Sequence, residues 1–337
     1  MAALTVFCLS QLFLTRQQLY YHQLIMEKPI FTIEQVMNMD LPPIIIYAAP
    51  VMFIMVLIEW YIRTKQLKEN YDQKDGFSAL IIGLGNIAVS AIVKVALFTI
   101  ILFFYNLVPW FIPPVWWSYI LCIIAIDFFR YWSHRISHEQ RFWWATHVTH
   151  HNSEQYNFTV GFRLSWTQHI KIVFFIPVAL MGFHPVVFFI ANQVEVLYQF
   201  LLHTELVRKL PAPIEYIFTT PSHHRVHHGT NEEYLDKNYG STFIIWDRMF
   251  GTFQSEEEKV NYGILKPVNS YNPVWLVFHE WVDIFKDLGT YRTPKAWWRI
   301  LFGGPNMTLD KEHYYGNKPK SALGTANVQI RRSKDEK

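Results

Sequence analysis

Cysteine is nearly missing from this chain: Cys8 and Cys122 are the two it has, and both sit inside apolar runs. That excludes a disulfide framework and a cysteine-based metal or redox motif, and leaves packing as their role. Charge is scarce too. Charged residues are 17% of the 337, against about 25% in soluble proteins, while hydrophobic residues reach 51%. An ordinary water-soluble protein is excluded in favour of one embedded in a membrane. A net charge of +3 is too small for a nucleic-acid partner, and no nucleic-acid motif is present. The opening residues MAALTVFCLSQLFL lack a basic start and a small-residue cleavage site, so an anchor or interfacial helix is expected there rather than a cleaved signal.

Long apolar runs are what the chain has instead. DLPP at 40–43 breaks the chain before Ile44 to Ile62, a run long enough to cross a bilayer. The loop RTKQLKENYDQKDG carries Arg63, Lys65, Lys68 and Lys74, so the positive-inside rule turns it to the cytoplasm. Phe77 to Asn106, apolar except for Lys94, is long enough to span with tilt or to bend back. After the proline-rich turn VPWFIPP, Val115 to Phe129 returns across the membrane. Residues 170–203, broken by Pro177 and by MGFHP, read as a helical hairpin that enters and leaves by one face. The G-x-G-x-x-A match at Gly83, Gly85 and Ala88 has no strand before it, so it is no dinucleotide site.

The expected fold is an all-α integral membrane protein, a multi-span bundle of helical hairpins with a histidine-rich di-metal site at its cytoplasmic face. Four parts are expected: an amphipathic interfacial segment over 1–43, a membrane-embedded catalytic domain over 44–265 with its motifs in 115–255, a cytoplasmic helical segment over 266–304, and a polar, disordered tail over 305–337.

Ten of the fifteen histidines stand in groups. His134 and His138 are four residues apart, His147, His150 and His151 follow i, i+3, i+4, and so do His224, His227 and His228, with His223 beside them and His203 between. On a helix each set projects to one face. Imidazole is a common metal ligand, and eight are too many for one tetrahedral ion, which points to two. The spacing does not choose the metal, since imidazole suits iron and zinc alike. His22, His169, His184, His279 and His313 have no partner at ligand spacing and receive no role.

Polar stripes accompany the ligands. Asp127, Tyr131, His134 and His138 share one helical stripe, where Asp127 can fix the tautomer of a ligand imidazole or pair with a nearby arginine. Asn192, Glu195, Gln199 and His203 form a second stripe that should face an interior site, with His203 as a ninth ligand. Thr220 and Pro221 read as the cap and first turn of the last ligand helix. Trp143, Trp144 and Trp246 suit an interface.

With THHNSEQYN, LLHTE, TPSHHRVHHG, DKNYG and WDRMFGTF around them, these motifs resemble the fatty acid hydroxylase and sterol desaturase superfamily over roughly residues 115–255, most closely its alkylglycerol monooxygenase branch. The resemblance implies a non-haem di-iron centre that activates dioxygen (O2) and inserts one oxygen atom into a C–H bond of a lipid, ligated by the eight motif histidines. It also matches His203, Glu139, Asn238 and Tyr239, and it implies an external electron donor, tetrahydrobiopterin in that branch. Sterol, fatty-acyl or carotenoid hydroxylation or desaturation uses the same site. A zinc hydrolase would need His-Glu-x-x-His, and His138-Glu139 is followed by Gln140, Arg141 and Phe142 instead. A metal transporter would string its ligands through the bilayer rather than gather them at one face.

Overall fold

The computed structural model describes residues 28–38, 42 and 44–307. The expectations for Cys8, the N-terminal anchor and the tail past 307 fall outside them. Among the described residues the protein is helical and has no β-strand. The helices that matter for the site are α1 (Ile44–Tyr61), α2 (Gln73–Leu107), α3 (Trp116–Glu139), α4 (Val148–His151), α5 (Pro185–Leu202), α6 (Pro221–His227), α7 (Ile245–Phe250), α8 (Pro273–Thr290) and α9 (Pro294–Phe302).

Three helices are long and apolar enough to cross a membrane: Ile44–Gln66, which is α1 and the π-helical turn after it, then α2 and α5. Their outer faces expose Ile46, Val51, Ile54, Leu84, Ile87 and Ile92, a surface that suits lipid and not water. Asp72 starts α2 by accepting the amides of Lys74 and Asp75. The helix then runs unbroken for 35 residues, about 52 Å at 1.5 Å per residue, so it does not bend back.

Two expectations shift in detail. The run expected to end at Phe129 continues as α3 to Glu139, so the first histidine pair rides on the same helix. Asp127, Arg130 and the tryptophans make α3 less apolar than the three long helices; one side of it is packed inside, with Cys122 and Ile126 fully buried against Val178, Ala179, Val187 and Ala191, while Trp116, Ile120, Leu121 and Ile124 are exposed. The first leg of residues 170–203 is a 3-10 helix over Gln168–Phe175 and α-helical only over Ile176–Leu180, where Pro177 fits the first turn.

Buried ions tie the loop after α1 to the histidine-bearing segments. Arg63 bonds Glu69 at 2.7 Å, Glu205 at 2.9 Å and the Tyr156 carbonyl at 2.6 Å. Fully buried Arg163 bonds Asp75 at 2.8 Å and the Thr149 carbonyl at 3.2 Å. Glu59 accepts the Phe158 amide at 2.6 Å and the Thr204 hydroxyl at 2.5 Å. The basic loop and the histidine segments therefore share one end of the bundle. The turns at 108–114 and 181–184 meet at another place, where the Ile112 amide donates to the Gly182 carbonyl at 2.7 Å.

The glycines of GLGNIA serve packing. A Cβ on Gly85 would stand 2.4 Å from the Trp166 indole, which is held by its Nε1 donating to the Ile82 carbonyl at 2.9 Å. Gly85→Ala should therefore cost about 1–3 kcal/mol by overpacking. A thermal melt in detergent checks this: a lowered Tm is expected, and an unchanged one would mean the ring yields freely.

Candidate metal centre

Four elements bring the histidines together. His134 and His138 stand one turn apart near the end of α3, His150 and His151 on α4 with His147 just before it, and His224 and His227 on α6 with His228 at its end. His203 closes α5. Thr220 is extended and Pro221 opens α6, as the sequence indicated; the Thr220 amide donates to His223 Nδ1 at 3.3 Å. With His223 Nε2 also 3.0 Å from Glu215, that ring is used as a helix cap and stays out of the cluster.

The other nine divide into two adjacent groups, His134, His138, His147, His151 and His227 in one, and His150, His203, His224 and His228 in the other, with the ligand atoms of each group within 4.8 Å of one another. In the first, His151 Nε2 lies 3.1 Å from His147 Nε2 and 3.2 Å from His227 Nε2. In the second, His203 Nε2 lies 3.1 Å from His150 Nε2 and 3.0 Å from His224 Nε2, which is 3.3 Å from His228 Nε2. These separations match the edges, about 3.3 Å, of a tetrahedron of bonds about 2.0 Å long around one ion.

Backbone carbonyls set the tautomers. His134 Nδ1 donates to Tyr239 O at 2.8 Å, His227 Nδ1 to Lys237 O at 2.9 Å and His203 Nδ1 to Gln199 O at 2.8 Å. A carbonyl only accepts, so each of these rings keeps its proton on Nδ1 and turns an Nε2 lone pair into the cluster. His134 Nε2 and His138 Nε2 are buried with no hydrogen-bond partner among the described residues. Such donor atoms fit metal cations. Burial, then the neighbouring histidines, hold His151, His224 and His228 well below the usual imidazole value, in the neutral form that ligates.

Two cavities meet at this cluster. One of about 690 Å³ is lined by apolar side chains including Leu97, Phe98, Ile172, Phe175, Phe188 and Phe189, and reaches His134, His147, His150, His203 and His224. The other, about 710 Å³, has Arg141, Asp236, Lys266, Glu280, Asp283 and Asp287 in its wall and reaches His138, His151, His227 and His228. The nine imidazoles form the partition between them.

Several expected site residues stand elsewhere. Asp127 does not reach a ligand: it accepts the amides of Thr242 at 2.6 Å and Phe243 at 3.1 Å and the Trp246 indole at 2.8 Å, so it anchors the chain before α7. Glu139 is half exposed and paired with Arg135 at 2.8 Å, because the residue after a ligand points about 100° away around a helix. Asn238 makes no contact with the cluster; its side chain bonds His223 O, Gln254 O and the Gln254 amide, in the left-handed conformation at φ 54°. Asn192 and Glu195 hold Arg130 at 2.7 and 2.8 Å, and Tyr131 faces Thr252. Trp144 stacks edge-on to His138 and Trp143 packs on Phe174. The sequence reading missed the carbonyls of Lys237 and Gln199, which have no side-chain signature. It also missed Asp236, 3.7 Å from His138, and Lys171 in the apolar cavity wall.

A helical chain with three membrane-length apolar helices and a buried wall of nine metal-fitting imidazoles is a membrane metalloprotein by class. Residues 119–252, which hold all nine, match the Fatty acid hydroxylase family model. The chain has alkylglycerol monooxygenases as homologues: 42% identity over 273 residues to that of Xenopus tropicalis, covering 79% of this chain and 60% of that protein, and 42% over 200 residues to that of Homo sapiens, covering 58% and 43%. Ornithine lipid hydroxylase OlsE of Rhizobium tropici is 28% identical over 151 residues, 42% of this chain and 43% of that protein. The matches thus span less than two thirds of these relatives' own length. No solved structure matches the chain.

Two outcomes follow. Glu139→Gln should leave bound metal unchanged, since a half-exposed i, i+4 pair contributes only about 0.5 kcal/mol, whereas His203→Ala should lower it; elemental analysis of both variants checks the contrast. The metal-free protein should also lose stability in acid. A buried imidazole whose folded pKa is depressed binds fewer protons than the unfolded chain below the usual imidazole value of about 6.5, so the stability present above that pH is lost as pH falls beneath it, which melts at stepped pH will show.

Proposed function

We propose that this protein is a membrane-embedded lipid monooxygenase whose two histidine groups hold a pair of iron ions at the cytoplasmic end of the bundle. The observation that carries this is the division of nine imidazoles into two adjacent sets that stand between an apolar and a polar cavity. The alkylglycerol monooxygenase relatives favour an ether lipid, oxidised at the ether-linked carbon to a hemiacetal that collapses to an aldehyde. The orientation rests on the basic loop, which lies at the same end as the histidines.

Bound there, iron supplies the activation of dioxygen and the insertion of one oxygen atom into a C–H bond. The chain's own residues orient and enclose. The carbonyls of Tyr239, Lys237 and Gln199 hold three rings in the ligating tautomer. The phenylalanines of the apolar cavity take an alkyl tail and keep water from the carbon to be oxidised. The polar cavity opens on the opposite face of the cluster. It offers a path for the two electrons and two protons that convert the second oxygen atom to water, with an external donor, tetrahydrobiopterin in this reading.

Elemental analysis of protein purified without added metal tests the proposal, followed by incubation of an alkylglycerol with a reduced pterin. About two irons per chain and aldehyde product are expected, both lost in His134→Ala and His150→Ala. Tightly held zinc with no oxidation, or a product with a new double bond, would overturn the assignment.

A further inference from the structure

The apolar cavity has an unexpected charge pattern. Lys94, Arg130 and Lys171 line it, and among the described residues no aspartate or glutamate does. Arg130 is neutralised from behind by Glu195 at 2.8 Å. Lys94 sits over the Phe98 ring, 5.4 Å from its centre. Lys171 has no hydrogen-bond or ion-pair partner among the described residues, although it stands close enough to the cluster for its charge to disfavour protonation of His147 and His150. The Gln199 side-chain nitrogen in the same wall is buried and also unpartnered among the described residues.

An uncompensated cation in an apolar cavity is costly, so burial, then the Arg130 charge, lowers the pKa of the Lys171 ammonium to about 7, and nine neutral imidazoles supply no counter-charge for it or for bound metal. The polar cavity differs in sign, with Asp236, Glu280, Asp283 and Asp287 in its wall against Arg141 and Lys266. An anion is therefore drawn to the apolar side and repelled from the polar one. The enclosure is otherwise shaped for an alkyl chain.

We propose that the apolar cavity selects a lipid with an anionic head group, a phosphate or carboxylate, bound by Lys171 with Gln199 beside the histidine cluster while the tail lies among the phenylalanines. This rests on the lipid-monooxygenase reading for what happens next, but the binding itself does not require oxidation. Lys171 is a specificity-determining residue in this account.

The test is calorimetric binding to the metal-loaded protein in neutral detergent with no electron donor, using hexadecyl phosphate, palmitate, neutral hexadecylglycerol and inorganic phosphate. Hexadecyl phosphate should bind at least about tenfold tighter than hexadecylglycerol, the worth of one charge-assisted hydrogen bond, with palmitate showing which anion is preferred. Lys171→Met should abolish that preference while keeping the neutral lipid's Kd, which also shows that the variant folds. Lys171→Arg should retain the preference, and Gln199→Leu should reduce it. Equal binding of the two hexadecyl lipids to the unaltered protein would overturn the proposal, as would inorganic phosphate binding as tightly as hexadecyl phosphate, or a preference that survives in Lys171→Met. Any of these with ether-lipid oxidation intact removes the head-group assignment alone; a clear anion preference with no oxidation removes only the oxygenase reading.

Discussion

Nine imidazole rings packed together, most of them edge to face, are the constraint on which the rest of the protein depends. Burial disfavours charge on them, and ring nitrogens of neighbouring imidazoles converge to 3.0–3.3 Å. Cations between them would be held by these converging nitrogens. The surrounding structure then has to deliver four chain segments to one place and fix each ring's rotation, and most of its unusual features serve that end. The left-handed turns at Asp236 and Asn238 bracket the Lys237 carbonyl and precede that of Tyr239, the acceptors for His227 and His134. Asn238 clamps this turn through three side-chain bonds, and the Asp247 carboxylate accepts the Tyr239 and Gly240 amides at 2.7 Å each.

Buried charge elsewhere has the same purpose at longer range. Arg163 and Asp75 pull α4 against the start of α2, and Arg63 joins Tyr156 to the segment after His203. Arg141 binds Glu280 and Asp287 of α8, fastening that helix over the polar cavity, while Ala145, Ile284 and Ile300 pack beneath. Breaking one partner of such a pair leaves an isolated buried charge, which costs more than the pair contributes. The cluster is thereby held by rigid ties while the two cavities on either side stay open.

Much of the centre was legible in the sequence because helical spacing is short-range information: it gathers the rings of each pair or triplet, and His203 ends a polar stripe that leads to the same place. The spanning helices α1, α2 and α5 were legible from hydropathy alone. What was not legible came from geometry across elements. Both triplets are divided between the groups, His147 and His151 from His150, and His227 from His224 and His228, where the sequence puts each triplet on one face. Asp127 shares a stripe with His134 but lies seven residues away, about 10 Å along the axis, too far to touch a ligand. Glu139 is adjacent in sequence and turned away in space. The carbonyl acceptors and the polar cavity, drawn partly from residues 263–291, leave no residue pattern to read.

X-ray absorption at the iron edge of the metal-loaded protein tests the central claim most directly. The account predicts a shell of nitrogen donors near 2.0–2.2 Å, with the outer-shell scattering of four or more imidazoles averaged per iron. Coordination dominated by oxygen, or a single imidazole per iron, would contradict it, because the nine buried rings would then be something other than the ligands of the metal.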